Sequence, residues 1–376
     1  MAPSNPKVLI GASIPRSGHH FLAHMLVRYF GRDLYYCETY TPEKCCRTVP
    51  CIKRGEFRFI YQKSHDREFL LPSDFGDALY IIQYRHPVPE ALSDRELDLK
   101  DAIGRPSLDF RRTRESYLSW LAAKAIYYRR FHDKWMATRL ANGIYLDYDA
   151  LAARPQDAVR GIVDRAGGAL DDSRLAAAVQ KETADHRIRV PAESPHYDEE
   201  LMGSLEDYVV KRCPHYGFSS RLGGDYATSA LYGLILLRDT SEPLPKGESK
   251  RFKFAASLAP DHPEVLRRKG VRFLREGKAM KAVNALADLV ERHPFFAEGY
   301  ESLFKACAQA QMPVPEVALN GNALIACSHR ADLLLVLEKL FRQHGCVVNA
   351  RAALSLAAAL EPKGEGLRES TVAPRT

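Results

Sequence analysis

In the first quarter of the chain, charged or polar side chains follow directly on short apolar runs: Arg16 after Val8 to Ile14, Lys63 and His65 closing Phe57 to Gln62, and Arg85 after Ala78 to Tyr84. Ser93 stands eight residues beyond Arg85. Cations placed at such ends suit a polyanion, arginine above all, because its planar fork matches phosphate and sulfate oxygens. A histidine two residues from a lysine suits proton transfer, since an imidazole titrates near neutral pH. The chemistry to expect is group transfer on an anionic donor, driven by charge stabilisation and one base.

Elements must bring these residues together. Val8 to Ile14 reads as a buried parallel strand, Pro15-Arg16-Ser17-Gly18 as a tight loop, and Phe21, Leu22, Met25, Leu26 and Tyr29 recur at helical spacing. Such a loop aims backbone N–H groups and the positive end of a helix dipole at one point, where an anion fits. The nucleoside-triphosphate version needs Gly-x-x-x-x-Gly-Lys-Ser/Thr. Here Ser13 replaces the first glycine, and His19 and His20 follow Gly18, so ATP hydrolysis is disfavoured and Arg16 supplies the cation. A strand-Pro-Ser-Gly-helix junction also arises without a ligand, and the rest of the chain must decide. Further strands are expected at Phe57 to Lys63, Ala78 to Tyr84 and Ile144 to Tyr148. Helices are expected at Pro89 to Leu97, 113–141 and Ala150 to Ala166. This alternation implies an α/β fold, a parallel sheet flanked by helices, with ligands at the carboxyl ends of its strands.

A net charge of +7 suits a polyanionic ligand, and no Lys/Arg block or aromatic-basic alternation points to nucleic acid. No apolar run reaches the length of a membrane span. The first strand begins within about seven residues, leaving no room for a signal peptide, so a cytoplasmic location is expected. Cys213, Cys307, Cys327 and Cys346 lie scattered in amphipathic segments and read as buried thiols. Cys37, Cys45, Cys46 and Cys51 are crowded together. They could stay reduced, bind zinc or form two disulfides, although paired C-x-x-C spacing is missing.

From about Asp225 strand-like runs vanish, and Thr240 to Gly247 reads as a turn or linker. Pro260 and Pro294 are 34 residues apart and each closes a helix. Between them Leu266, Gly270, Phe273, Gly277, Ala282 and Leu286 fall at the small and large positions of a tetratricopeptide unit, which this segment resembles. Ala230 to Pro260 and Ala297 to Ala326 read as weaker copies. The expected division is an α/β domain at 1–224 and an all-α, TPR-like helical-repeat domain at 225–376, with a disordered tail from Glu361. Stacked hairpins of this kind offer a face for a protein partner, or pack on the first domain.

Four segments together resemble the sulfotransferases that use 3′-phosphoadenosine 5′-phosphosulfate (PAPS). Pro15-Arg16-Ser17-Gly18 is similar to their 5′-phosphosulfate loop, and Arg85-His86-Pro87 with Ser93 to their 3′-phosphate element. Lys63-Ser64-His65 is similar to their Lys-Thr-His, and Tyr145 to Leu151 with Pro155 to their Tyr-Glu-Asp-Leu segment. The resemblance covers roughly residues 7 to 220. It implies a donor site of Pro15, Arg16, Ser17, Gly18, His19, His20, Arg85 and Ser93, with Arg16 and Lys63 stabilising the leaving group. It implies His65 as general base, where some members use a carboxylate, here Glu38 or Asp66. No metal ligand is assigned. The family's late Arg-Lys-Gly element is not evident, and Lys211-Arg212 could supply its charge. The acceptor would be a hydroxyl or amine, of a saccharide or glycolipid, held by loops Cys37 to Gly55, Asp98 to Arg114 and Val190 to Glu200. Two other readings are a nucleotide-binding platform whose helical repeats recruit a partner, and a small-molecule kinase, which the missing Lys-Ser/Thr after Gly18 disfavours.

Overall fold

The computed structural model of the chain describes residues 7–39, 46, 48–76, 78–100, 111–183, 191–239 and 247–360. The chain divides into two compact units, Met1–Arg251 and Phe252–Thr376. The first is built on five parallel strands: β1 (Lys7–Ser13), β2 (Leu34–Glu38), β3 (Phe59–Ser64), β4 (Leu79–Tyr84) and β5 (Gly143–Asp147). Their order across the sheet is β2-β3-β1-β4-β5. Leu9, Ile10, Ile60, Ile81 and Ile82 are fully buried in the three central strands, as expected where helices cover both faces.

On one face Leu9, Phe59, Tyr61, Leu79 and Ile81 pack against α1 (His19–Phe30), α5 (Pro155–Arg165) and α6 (Asp172–Thr183). On the other, Tyr80 meets Trp135 with ring centroids 5.8 Å apart. α2 (Pro87–Lys100), α7 (Glu199–Arg212) and α8 (Ala230–Arg238) pack around α3 (Arg114–Phe131).

Three local outcomes differ from expectation. β2 forms inside the cysteine-bearing stretch. The helix expected over 113–141 ends at Phe131 and passes into a π turn at His132–Met136. The helix expected over Ala150 to Ala166 is two, α4 (Tyr148–Ala153) and α5, because Pro155 cannot continue the first. The Asp147 carboxylate caps α4, accepting from Asp149 N at 3.0 Å and Ala150 N at 3.2 Å.

The second unit is helical throughout its described residues. α10 (Pro263–Arg275) and α11 (Ala279–Arg292) form a hairpin, followed by α12 (Ala297–Ala310), α13 (Gly321–Ala326), α14 (Ala331–Gln343) and α15 (Val347–Leu360). Gly270 lets the hairpin close, since a Cβ there would stand 2.5 Å from Leu286 Cγ. The division falls within α9 (Gly247–Leu258), later than the boundary expected after residue 224. The reason is α8. Its Leu231, Leu234 and Ile235 are buried, Arg238 donates to Ser119 O at 2.9 Å, and Tyr208 on α7 donates to Asp239 at 2.7 Å. The expected linker at 240–246 and the tail from Glu361 lie outside the described residues. No helix among the described residues is long and apolar enough to cross a membrane.

Candidate active site

Parallel pairing aligns the carboxyl ends of the central strands. Lys63 on β3 lies opposite Gly11 on β1 and Glu38 on β2, and Ser13 on β1 lies opposite Gln83 on β4. Lys63, His65, Arg85 and the loop 14–18 therefore meet along one edge of the sheet.

Lys63 is 2% exposed. Its Nζ donates to Glu38 Oε1 at 3.3 Å and reaches His65 Nε2 at 3.0 Å. His65 Nδ1 lies 2.8 Å from the Ser13 carbonyl oxygen. A carbonyl cannot donate, so Nδ1 carries the proton and Nε2 presents the lone pair to Lys63. Burial, assisted by the Lys63 charge, lowers the His65 pKa to about 3. Burial also lowers Lys63 to about 8, against the pull of Glu38. At Glu38 burial acts upward but is outweighed by Lys63 and His20, so its carboxyl lies below the usual range. At neutral pH the three are a neutral imidazole, a cation ready to lose its proton, and a carboxylate. Tyr127 fixes the backbone here, donating to His65 O at 2.5 Å.

The loop carries its own strain. Arg16 has φ 59°, an unfavourable state for a residue with a Cβ, held where the backbone is fixed on both sides. Ser17 Oγ donates to Ile14 O at 2.6 Å. Arg16 Nε donates to Ser93 Oγ at 3.0 Å, and Arg85 Nη1 donates to Arg16 O at 3.2 Å. The structure thus joins Arg16, Arg85 and Ser93 into one cluster. Ser93 is oriented by its helix, because Glu90 and Asp94 both pair with Lys124 of α3, the former at 2.8 Å. Arg85 lies 4.0 Å over the Tyr148 ring. Tyr148 in turn fills the space over Gly18, whose φ is 80° and whose absent Cβ would stand 2.9 Å from the ring.

Two buried groups in this cluster lack a hydrogen-bond partner among the described residues: Arg85 Nε, and both ring nitrogens of His19. An unsatisfied buried polar group costs about 1–3 kcal/mol, and here the Arg85 Nε–H and the protonated ring nitrogen of the neutral His19 lie beside the strained loop, where an oxyanion would accept from them. His19 is held neutral, its pKa pushed far down by burial and then by Lys63, and its ring sits 4.6 Å from that of His65. His20 is the exposed neighbour, 3.4 Å from Glu38.

The two alternative carboxylates separate. Asp66 is fully buried and committed, accepting from Lys134 at 2.7 Å, Trp135 Nε1 at 2.9 Å and Leu71 N at 2.8 Å. Glu38 faces Lys63. Lys211 pairs with Asp207 on its own helix at 2.7 Å. A loop the sequence did not single out stands nearer: buried Glu206 accepts from Arg221 N at 2.9 Å and Leu222 N at 3.0 Å, and Arg221 pairs with Asp149, next to Tyr148, at 2.8 Å. Its signal was an arginine before the Gly223-Gly224 turn. Tyr148 was quoted only as part of a segment, because its role depends on tertiary approach to Gly18. A cavity of about 780 Å³ opens between α2, the start of α3 and residues 195–201. It draws on two of the three expected acceptor loops, of which residues 101–110 and Val190 lie outside the described residues.

No protein-family model and no curated protein matches the chain. Among solved structures it is similar to mouse sulfotransferase SULT7A1 complexed with PAP, at 14% identity and a TM-score of 0.35, over 68% of this chain and 91% of that one.

Proposed function

We propose that the first unit is a sulfotransferase that moves the sulfuryl group of PAPS to a hydroxyl or amine of an acceptor. The observation that carries this reading is the pairing of Lys63 with His65 Nε2 at the end of β3, beside an Arg16 loop with unsatisfied buried donors. The co-substrate supplies a sulfuryl group on a phosphate leaving group, and every other part belongs to the chain. Pro15 to Gly18 present backbone N–H groups, with Arg16 and the His19 and His20 imidazoles, to the 5′ phosphosulfate. Arg85 and Ser93 hold the 3′-phosphate, with Arg221 adding charge in place of Lys211-Arg212. Lys63 neutralises charge on the leaving oxygen, and His65 Nε2 takes the acceptor's proton. Asp66 has no part, since its carboxylate is already fully bonded. No metal enters this scheme.

The acceptor occupies the 780 Å³ cavity, a volume that fits a small molecule or a short saccharide. Its wall carries Arg95, Lys100, Arg112 and Arg114 against Glu96 and Asp198, which supports an acceptor bearing anionic groups. A cytoplasmic location belongs to the same reading. In the second unit, the close approach of Gly270 to Leu286 supports a tetratricopeptide-like hairpin and, with it, a protein partner.

Calorimetric titration of 3′-phosphoadenosine 5′-phosphate (PAP) in EDTA tests the donor site. Metal-independent binding, with ATP much weaker, is expected. No binding, or a preference for ATP with Mg²⁺, removes the sulfotransferase and favours the kinase.

A further inference from the structure

On the sheet face opposite Glu38, β2 presents Cys37, since successive side chains of a strand alternate. Gln62 on β3 lies in register with Cys37 and donates to Thr48 O at 2.6 Å, which pins the incoming segment to this edge of the sheet. Cys46 Sγ lies 3.1 Å from Thr48 Oγ1. Cys51 stands immediately before the short 3-10 turn Ile52–Gly55. The three Sγ atoms consequently all lie within 4.8 Å of one another, Cys37 and Cys51 fully buried and Cys46 partly exposed, and all three are free thiols. Cys45 lies outside the described residues.

We propose that Cys37, Cys46 and Cys51 bind a zinc ion that ties the segment 46–55 to edge strand β2. Tetrahedral zinc with Zn–S bonds of about 2.3 Å holds its sulfurs about 3.8 Å apart, so an inward movement of about 1 Å closes the cluster, within reach of side-chain rotation. Three soft sulfur donors with few polar neighbours, packed against Ile60, Tyr35 and Phe57, select zinc over magnesium or calcium. A disulfide would join two of them and strand the third. The protein ligands leave one tetrahedral position for a further donor.

The mechanical need is also visible. β2 is five residues long and, among the described residues, pairs only with β3, so a metal on Cys37 would add an anchor on the sheet face opposite Glu38. Its last residue, Glu38, is the one that meets Lys63 and His20. The second convergence of ligand-type residues, His19, His20 and Glu38, already has the Lys63 ammonium 3.3 Å from its carboxylate, which opposes a metal there. The zinc site does not depend on the sulfotransferase reading.

The test uses the full chain, purified without chelators. Elemental analysis should find about one zinc per chain, released by a mercurial thiol reagent and read with a chromogenic chelator. After exchange with cobalt, a thiolate-to-metal charge-transfer band should appear in the near ultraviolet. Cys46→Ser, at the partly exposed ligand, should lose the metal or about a third of that band, whereas Cys327→Ser, in the second unit, should change neither. The proposal is overturned if the folded protein takes up neither zinc nor cobalt. It is equally overturned if bound cobalt shows no charge-transfer band, or if mass spectrometry of anaerobically prepared protein finds a disulfide between any two of the three. Should Cys46→Ser not fold, the metal content and cobalt spectrum of the unmodified protein decide alone.

Discussion

Replacing Arg85 by alanine should remove recognition of the 3′-phosphate and little else. Arg85 is 8% exposed, its guanidinium stacked over Tyr148, with Nη1 on Arg16 O and Nε unpartnered among the described residues. Two bonds from this fork to a phosphate contribute about 1.5–3 kcal/mol each. Part of that is returned, because the free protein no longer buries an arginine beside Arg16. A net loss of about 3 kcal/mol is expected, which is about 150-fold in affinity. The assay is a two-by-two calorimetric cycle: wild type and Arg85→Ala, each with PAP and with adenosine 5′-phosphate, which lacks the 3′ group. Wild type should prefer PAP by about 150-fold, and in the variant that preference should all but vanish. Arg85→Lys keeps a point charge without the fork and should fall between. Equal weakening of both ligands would show that Arg85 only supports the loop through Arg16 O. An unchanged preference would place the 3′-phosphate elsewhere. Either result refutes the assignment.

The pH profile of kcat/KM should be flat from about pH 5 to 7: His65, with a pKa of about 3, is already a neutral acceptor there, and Lys63, at about 8, is still charged. Activity then falls as pH rises through 8 and Lys63 loses its proton; an acid limb near pH 6.5 would contradict the buried, lysine-paired imidazole. Lys63→Met should lower turnover by about 100- to 10,000-fold while PAP affinity changes far less, and comparable losses in both would make Lys63 a binding residue only. Gly18→Ala combines a left-handed residue with a 2.9 Å approach to Tyr148 and should cost the first unit about 2–5 kcal/mol in chemical denaturation; an unshifted midpoint would disprove the packing. Gly270→Ala, 2.5 Å from Leu286, should destabilise the second unit by about 1–3 kcal/mol and leave PAP binding unchanged; loss of PAP binding would show that the units do not behave separately.

How much of this was legible in the sequence follows from where each signal resides. β1, the loop and α1 could be read because an apolar run, Pro15 and Gly18 are local signals, and Arg16, Lys63, His65 and Arg85 do stand at strand ends. β2 escaped because Leu34 to Glu38 is short, mixes aromatic residues with a glutamate and lies at the end of the sheet order, with only Leu34 and Cys37 buried. α8 looked like a repeat because its apolar face is the same whether it stacks on a hairpin or on α3. α14 and α15 carry no glycine signature of a repeat. The protonation of His65, the double duty of Tyr148 and the commitment of Asp66 all arise from contacts between distant segments, which no spacing encodes.

If the first unit is the sulfotransferase proposed above, the Lys63–His65 contact also implies an order of events. Lys63 directs one of its three N–H donors to Glu38 and one to the His65 lone pair, so the imidazole is engaged until a bridging anion draws the ammonium off Nε2. An acceptor that arrives first meets a histidine unable to deprotonate it, and water meets the same obstacle. Steady-state kinetics should therefore be sequential with the donor binding first, acceptor alone forming a dead-end complex. Hydrolysis of the activated sulfate should be suppressed by the lysine that later assists its transfer.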